Sequence, residues 1–279
     1  MAKKLWEGGQ TGNEGKYDLA ANWSPSGVPA GGDSVYMRGS QDITDGLDQS
    51  LIALDDFVVE KSYSGKLGTS AAALQVGITS STGRVEYSGS GESYIDVGGS
   101  TIDVTIHTTG AAAVGKHGLY IQGTAIGTLS VEGGNVGISL QAPGDASTIT
   151  TLRALGGHVT GGEGLTVTNV DVGGSAILEL RAGCSDLDIR SGTVTTSAAA
   201  GISSSVTLWG GVLIHNGTGT IASAIIQGGE LDVSQGGLVT TVSSLKLNEG
   251  SFIYDPESVT VTSIVEADHP VRWSSSKSS

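Results

Sequence analysis

The stretch Val206-Thr-Leu-Trp-Gly-Gly211 contains the phrase on which this chain is organised. Two apolar residues are separated by one residue, and a variable residue and glycine follow them. The same phrase recurs along the sequence at Leu129–Gly134, Leu152–Gly157, Leu187–Gly192, Ala224–Gly229 and Leu245–Gly250. With Asp171–Gly174 included, successive final glycines are 17 to 23 residues apart. A unit that recurs at a near-constant interval is typical of a solenoid, in which each coil stacks on the next.

The apolar positions in each phrase alternate with a period of two. They lie five and three residues before the final glycine, and again two and four residues after it. This alternation predicts strands with one buried face, and the glycine stands where the chain turns and needs a positive φ. A β-sandwich would not require one phrase at a constant interval. We therefore predict an all-β fold, a single-stranded parallel β-helix (solenoid) of about eleven coils of roughly 19 residues, with an N-terminal cap.

Composition and charge exclude several classes of function. Glycine occurs 45 times in 279 residues, whereas aromatic residues make up 5%, which suits many tight corners around a narrow aliphatic core. The formal net charge is −14, so the chain lacks the clustered lysine and arginine that bind phosphate backbones. No apolar run approaches the roughly 20 residues of a membrane span, and no secretory signal precedes the cap. We expect neither nucleic acid nor a membrane among the partners.

The repeat divides the chain into three segments. Residues 1–60 are aperiodic, contain Trp6 and Trp23, and are interpreted as a cap or docking segment that covers the open edge of the first coil. Residues 61–265 form the β-helix. Residues 266–279 depart from the repeat, and we expect a closing strand near Trp273 followed by a mobile serine-rich tail.

One stretch of the cap carries a motif. It reads Asn22-Trp-Ser, then Gly27-Val-Pro29, then Gly32-Asp-Ser-Val35. This stretch resembles the entry to right-handed parallel β-helices in bacteriophage virion proteins, of the head-decoration and tail-spike type, and in autotransporter-type adhesins. The resemblance implies a right-handed helix and a place in a virion, and it points to no single protein.

Motifs for nucleotide and metal binding are incomplete. The stretch Gly110-Ala-Ala-Ala-Val-Gly-Lys116 is one residue short of a phosphate-binding loop, because His117 stands where serine or threonine would hold magnesium. The stretch Gly228–Val233 has leucine where a calcium-binding nonapeptide needs glycine. The histidines show no metal-ligand spacing, and Cys184 has no disulfide partner. We expect no cofactor and no metal, and we expect Cys184 to be a small buried side chain.

The register of the strand around His215 is ambiguous. Either Leu213 and His215 or Val212 and Ile214 point inward. Because an imidazole without a partner is costly in an apolar core, the sequence favours Val212 and Ile214 inside. We therefore predict His215 on the surface.

Two pairs of carboxylates have the spacing of outward neighbours on one strand: Asp186 with Asp188, and Glu230 with Asp232. A glycosidase needs two carboxylates roughly 5 to 10 Å apart, and this spacing provides it. A cleft for sugar rings also favours aromatic platforms, and among the clear repeats only Trp209 is aromatic. Solvated strand faces carry such pairs as well. We assign no catalytic residue and keep these pairs as the only candidates.

The position two residues before each final glycine is predicted to face outward. It is polar in four coils, at Glu132, Arg190, Gln227 and Asn248. Leu155 and Trp209 break this rule, and outward apolar side chains on one face indicate a contact surface. Together with Trp6 and Trp23 of the cap, they are the candidate interface residues. Because β-helices commonly associate side by side, we expect a homo-oligomer, with a trimer favoured.

The expected function is that of a non-enzymatic bacteriophage virion protein. It would decorate or stabilise the capsid surface as a homotrimer, contact the major capsid protein or other virion proteins, and be synthesised in the host cytoplasm. The virion setting is implied by the resemblance. The alternative is a β-helical tail spike or adhesin that binds or cleaves host surface glycans.

Overall fold

The fold is seen in a computed structural model that describes residues 2–79, 83–98, 101–140, 146–234, 240–254, 259–266 and 272–275. The chain is all-β, and its parallel strands stack as a β-solenoid of about eleven turns, roughly 19 residues apart. The predicted fold class is confirmed. By its internal contacts the chain divides into unit 1, residues 1–150, and unit 2, residues 151–279.

Unit 1 forms two sheets from alternate strands. The strands are β1 (Lys3–Trp6), β2 (Trp23–Ser24), β3 (Ser34–Met37), β4 (Asp48–Leu54), β5 (Asp56–Val59), β6 (Leu74–Ile78), β7 (Arg84–Tyr87), β8 (Ser93–Gly98), β9 (Ile102–Ile106), β10 (Leu119–Gln122), β11 (Ile126–Val131) and β12 (Asn135–Ile138), with a 3-10 helix at Ala20–Asn22. The first sheet has the order β2-β1-β3-β5-β7-β9-β11, and the second has the order β12-β10-β8-β6-β4. Only the short β2 pairs antiparallel among the strands described in this unit. Parallel stacking therefore begins before residue 61, inside the segment predicted as the cap.

Unit 2 repeats this arrangement. Its strands are β14 (His158–Gly161), β15 (Leu165–Val172), β16 (Ile177–Leu180), β17 (Cys184–Ile189), β18 (Thr193–Thr196), β19 (Ile202–Leu208), β20 (Val212–His215), β21 (Gly219–Ile226), β22 (Glu230–Asp232), β23 (Thr240–Leu247), β24 (Ser251–Tyr254), β25 (Val259–Glu266) and β26 (Arg272–Ser275), and β13 (Ser147–Ala154) contains the boundary between the units. The first sheet has the order β15-β17-β19-β21-β23-β25, and the second has the order β14-β16-β18-β20-β22-β24-β26. At the place of the predicted closing strand, β26 pairs with β24. Residues 276–279 of the predicted mobile tail lie outside the described residues.

A glycine forms the corner between the two strands of each repeat. Gly211 lies between β19 and β20 and has a φ of 77°, a conformation that is costly for any residue with a Cβ. The other final glycines have φ values from 58° to 94°: Gly134, Gly157, Gly174, Gly192, Gly229 and Gly250. The predicted positive φ is therefore confirmed.

The corner glycines of neighbouring coils also touch one another. A methyl group on Gly211 would lie 2.6 Å from the carbonyl oxygen of Gly192, and one on Gly229 would lie 2.4 Å from that of Gly211. Gly250 stands in the same relation to Gly229. We call Gly192, Gly211, Gly229 and Gly250 the glycine ladder. Along it the backbones pack without room for a side chain.

Alternate side chains of each coil fill the space between the two sheets. Around Gly211 these are Val206 and Leu208 on β19 and Leu213 on β20, all fully buried. Val206 and Leu208 occupy the positions five and three residues before the glycine, as predicted. Leu213, two residues after it, follows the general pattern of the repeat, so the prediction that Val212 and Ile214 are the inward residues of this coil is wrong. The fourth position of this pattern is taken by His215, which is 2% exposed.

The prediction that His215 lies on the surface is wrong. Its Nδ1 lies 2.9 Å from the hydroxyl oxygen of Thr196, which is also buried and accepts the backbone N–H of Asn216 at 3.0 Å. Because Thr196 accepts from Asn216, its hydroxyl proton is left to donate to a neutral His215. This partner removes the cost that argued against an inward imidazole. The consequence is that Val212 and Ile214 point outward.

Unit 2 is expected to lose stability in acid through His215. Burial lowers the pKa of His215 to about 4, whereas an unfolded histidine titrates near 6.5. The unfolded chain therefore takes up the proton first as the pH falls. The stability contributed by the neutral ring is present above about pH 6.5 and is lost, by about 3 kcal/mol in all, as the pH falls to about 4. Urea unfolding between pH 7 and 4 measures this slope.

A His215→Gln variant is the control, because glutamine keeps an acceptor for Thr196 but does not titrate. Its unfolding free energy should depend less on pH over the same range. An unchanged slope would assign the acid sensitivity to other groups.

Three aromatic rings form the interior of the cap. The ring centroids of Trp6 and Trp23 are 5.1 Å apart, and those of Tyr17 and Trp23 are 4.8 Å apart, both in edge-to-face geometry. The indole N–H of Trp23 donates to the backbone oxygen of Tyr17 at 2.7 Å. All three rings are buried, so this cluster supplies a small apolar core where the repeat does not.

Asn22 organises the chain around those rings. Its side-chain Nδ2 donates to the backbone oxygens of Asn13 and Lys16 at 2.8 and 2.9 Å, and its Oδ1 accepts the backbone N–H of Gln10 at 2.9 Å. Asn22 is fully buried, and one side chain therefore fixes three points of an irregular segment. The Asn-Trp pair of the sequence motif has a structural role here.

Candidate assembly surface

The positions two residues before the final glycines line up along one corner of unit 2. In four of these coils the backbone N–H at this position donates to the preceding coil: Arg190 to Val172, Trp209 to Ile189, Gln227 to Leu208 and Asn248 to Ile226. We call the row Leu155, Arg190, Trp209, Gln227 and Asn248 the corner column. Its side chains are exposed or half-buried, which confirms the predicted outward orientation at these positions, whereas Val172, two residues before Gly174, is buried.

Trp209 is the most prominent side chain of the corner column. It is 56% exposed, and its indole N–H donates to Oδ2 of Asp188 on β17 at 3.2 Å. Asp188 lies opposite Thr207 in the β17–β19 register, so the hydrogen bond joins neighbouring coils. The bond restricts the ring before any partner arrives, which lowers the entropy lost on binding.

Leu155 and Arg190 complete the outer part of this corner. Leu155 is 40% exposed, and a methyl group on Gly173 would touch its Cδ2 at 3.7 Å, so the leucine lies over a glycine. The side chain of Arg190 is 76% exposed, and its Nε lies 3.7 Å from Oδ1 of Asp188, which is 34% exposed. The outermost charge of the corner is therefore that of the arginine.

The other two candidate interface residues are not on the surface. Trp6 and Trp23 are 1% and 2% exposed and pack in the cap. They are therefore removed from the candidate surface, and only Leu155 and Trp209 stay in it. The sequence could not distinguish buried from exposed tryptophans in the cap. The cap has no repeat from which the inward or outward orientation of a side chain could be predicted.

A second outward surface lies on the second sheet of unit 2. In the register of β16, β18 and β20, Ile177 is opposite Thr193, and Thr193 is opposite Val212. The next outward row contains Glu179, Thr195 and Ile214. Ile177 is 50% exposed, and the side chains of both rows stand on neighbouring coils. We call these two rows the β16–β20 face.

The sequence contains the signal for this face. Residues one and three positions after a final glycine alternate with the buried ones, so Ile177, Val212 and Ile214 belong outside by the rule of the repeat itself. The hydropathy of Val212 and Ile214 instead favoured their burial at β20. The position in the repeat predicted the orientation correctly, because the narrow interior accepts a hydrogen-bonded histidine.

One glutamate lies within the β16–β20 face and a second borders it. Within the face, Oε1 of Glu179 lies 3.2 Å from Nε2 of His158. At the border, Glu230 lies opposite Val212 in the register of β20 and β22, and its Oε2 lies 3.3 Å from the hydroxyl of Ser251. Each edge of the face therefore has a carboxylate near its apolar side chains.

The two candidate carboxylate pairs differ in their surroundings. Asp186 and Asp188 line a depression of about 330 Å³ on the first sheet, together with Thr151, Asn169, Val170, Asp171, Leu187, Ser205 and Thr207. Asp186 accepts the hydroxyl of Ser205 at 2.6 Å. Asp232 is buried and accepts the N–H and hydroxyl of Ser234, so the Glu230 and Asp232 pair does not open to solvent together. Only the first pair retains the geometry of a binding site.

Cysteine and histidine are the remaining side chains that could take part in catalysis or metal binding. Cys184 is buried, as predicted, and burial raises the pKa of its thiol to about 12. Across the described part of the chain, no cluster of three or more His, Cys, Asp or Glu side chains has the arrangement of a metal site. His269 lies outside the residues that the structure describes. Among the described residues, no helix has the length and apolar content needed to cross a membrane.

Comparison with known proteins adds no relative. No protein-family model, no curated protein and no solved structure matches this chain. The surfaces of the chain and the short sequence motif of the cap are therefore the features that bear on its function.

Proposed function

We propose that this chain is a non-enzymatic structural protein of a bacteriophage virion, which decorates and stabilises the capsid as a homotrimer. The observation that carries the assembly part is the exposed Trp209, held by Asp188 in the corner column that also contains Leu155. Tryptophan is enriched among the residues that dominate binding energy at protein interfaces. The virion part is supported by the resemblance of Asn22–Val35 to the entry of phage β-helices.

The β-solenoid suits a stabilising role. Within each unit, the strands other than those at the sheet ends are hydrogen-bonded to neighbours on both sides, and the described strands bury apolar side chains between the sheets. Such a fold holds surface side chains at fixed spacings, so contacts made by different coils act together. A capsid protein or a second copy would meet a preformed surface.

Imaging of purified virions tests the proposal. Antibodies or a fused tag should locate the chain on the head, at positions related by the capsid symmetry, and heads that lack it should break at lower temperature or in lower salt. Absence from heads, or presence at the tail tip alone, would remove the capsid assignment. Oligomeric state is measured separately by light scattering on the isolated protein.

Glycan binding is the second candidate function. It is favoured by one observation, the polar depression of Asp171, Asp186 and Asp188 beside the exposed ring of Trp209. Carboxylates bind sugar hydroxyls, and an indole face packs on the apolar face of a pyranose. Incubation with host surface polysaccharide would release oligosaccharides if the chain cleaves it, and an Asp186→Asn variant would stop the release. Binding without release would indicate an adhesin.

A further inference from the structure

We propose that the corner column of one copy packs against the β16–β20 face of a second copy, in a head-to-tail contact. This inference rests on the homo-oligomer of the proposed function and names the two surfaces that form it. The occupant of the β16–β20 face is therefore a second copy of this chain.

The apolar side chains of the two surfaces have complementary shapes, because those of one surface project and those of the other are short. The corner column projects a ring and a leucine, Trp209 and Leu155, from the edge of the coil. The β16–β20 face presents short β-branched side chains, with Ile177 half exposed on β16 at one edge, Thr193 and Thr195 on the middle strand, and Val212 and Ile214 on β20 at the other edge. A projecting indole on a bed of β-branched side chains gives the close packing that interface centres require.

The charges at the borders are complementary as well. Arg190 extends past Asp188 at the corner, and Arg153 on β13, two strands away in the same sheet, is 52% exposed and 3.6 Å from Asp171. The β16–β20 face instead contains Glu179 and is bordered by Glu230. Because each copy has a formal charge of −14, faces chosen at random would repel, whereas this pairing sets arginine against glutamate. The match favours a second copy over a basic partner, which would oppose the arginines.

The two surfaces share no residue, so the contact joins two different patches. Formed once between two copies, such a contact is heterologous, and it either closes into a ring or continues as a filament. A two-fold dimer would instead form both contacts at once between the same two copies. The proposed trimer is the closed form of the head-to-tail contact.

Variants on the two surfaces test the contact through sedimentation of the full chain over a concentration series. Trp209→Ser and Ile177→Lys should each dissociate the oligomer to monomers, with an unchanged circular dichroism spectrum. Leu51→Ser is the matched control, since Leu51 is an exposed apolar side chain of unit 1 outside both surfaces, and it should leave the oligomer intact.

A mixture of the two variants tests the head-to-tail geometry. Each variant keeps the surface that the other lacks, so the mixture should form dimers although neither variant does so alone. If Trp209→Ser dissociates the oligomer and Ile177→Lys does not, the column does not contact the β16–β20 face, and the inference is overturned.

Charge exchange tests the pairing of the borders. Arg190→Glu and Glu179→Arg should each weaken association about tenfold or more, and the double variant should recover most of the loss. Additive losses would contradict the pairing. A monomeric wild-type chain would overturn the inference, whereas the location of the chain on virions is decided by imaging, so the two failures are distinguishable.

Discussion

Replacing Leu247 by aspartate is expected to unfold unit 2. Leu247 ends β23 and is fully buried between the sheets. A carboxylate there has no partner and no access to water in so narrow a core. We expect a loss of more than about 4 kcal/mol in unfolding free energy, measured by urea unfolding and by loss of the β-sheet circular dichroism signal.

Lys246→Asp is the matched control for this prediction. Lys246 neighbours Leu247 on β23 and is exposed, so the same new charge stands in water. We expect a change within about 0.5 kcal/mol. Equal losses from the two variants would mean that the assigned inward and outward phase of β23 is wrong.

Replacing Gly211 by alanine is expected to have the second-largest effect. The residue has a φ of 77°, which costs about 1 to 2 kcal/mol for an L residue. In addition, the new Cβ would lie 2.6 Å from the oxygen of Gly192, so the ladder must open between two coils. We expect a total loss of about 3 kcal/mol or more, visible as a lower melting temperature.

Three other glycines separate the two causes. Gly115 has a φ of 76° with open space at its Cβ position, so alanine there adds backbone strain alone. Gly183 has no positive φ, but its Cβ would lie 2.7 Å from the oxygen of Gly201, so alanine there adds the clash alone. Gly9 has neither feature. A loss at Gly211 no larger than that at Gly115 would show that the ladder contact is unimportant.

The coils of unit 2 could be predicted from the sequence because the narrow core requires every second side chain of a strand to be small enough and apolar enough to be buried. The same period gave the corner glycines, since their φ and their close packing leave no alternative residue. The first coils of unit 1 gave a fainter signal. There the strands alternate as well, but long connections join them, from Val59 to Leu74 and from Ile106 to Leu119, in place of the short glycine corners of unit 2, so no regular interval is visible.

The candidate surface was only half visible in the sequence. Leu155 and Trp209 stood out because they broke a polar rule. The β16–β20 face did not, because its assignment depended on His215, whose burial requires the hydroxyl of Thr196 from the neighbouring coil. A partner 19 residues away cannot be identified from hydropathy. Trp6 and Trp23 were misplaced since packing in the cap follows no period. The two longest intervals between final glycines, those ending at Gly157 and Gly250, contain residues 141–145 and 235–239, which lie outside the described residues.

The glycine ladder has a consequence for inheritance. Gly211, Gly229 and Gly250 each make the same backbone contact with the ladder glycine before them, so removal of Val212–Gly229 would place Gly250 against Gly211 in an equivalent contact. Duplication of that coil would likewise create no new type of contact. We therefore expect gene variants that gain or lose this whole coil to keep a packed core.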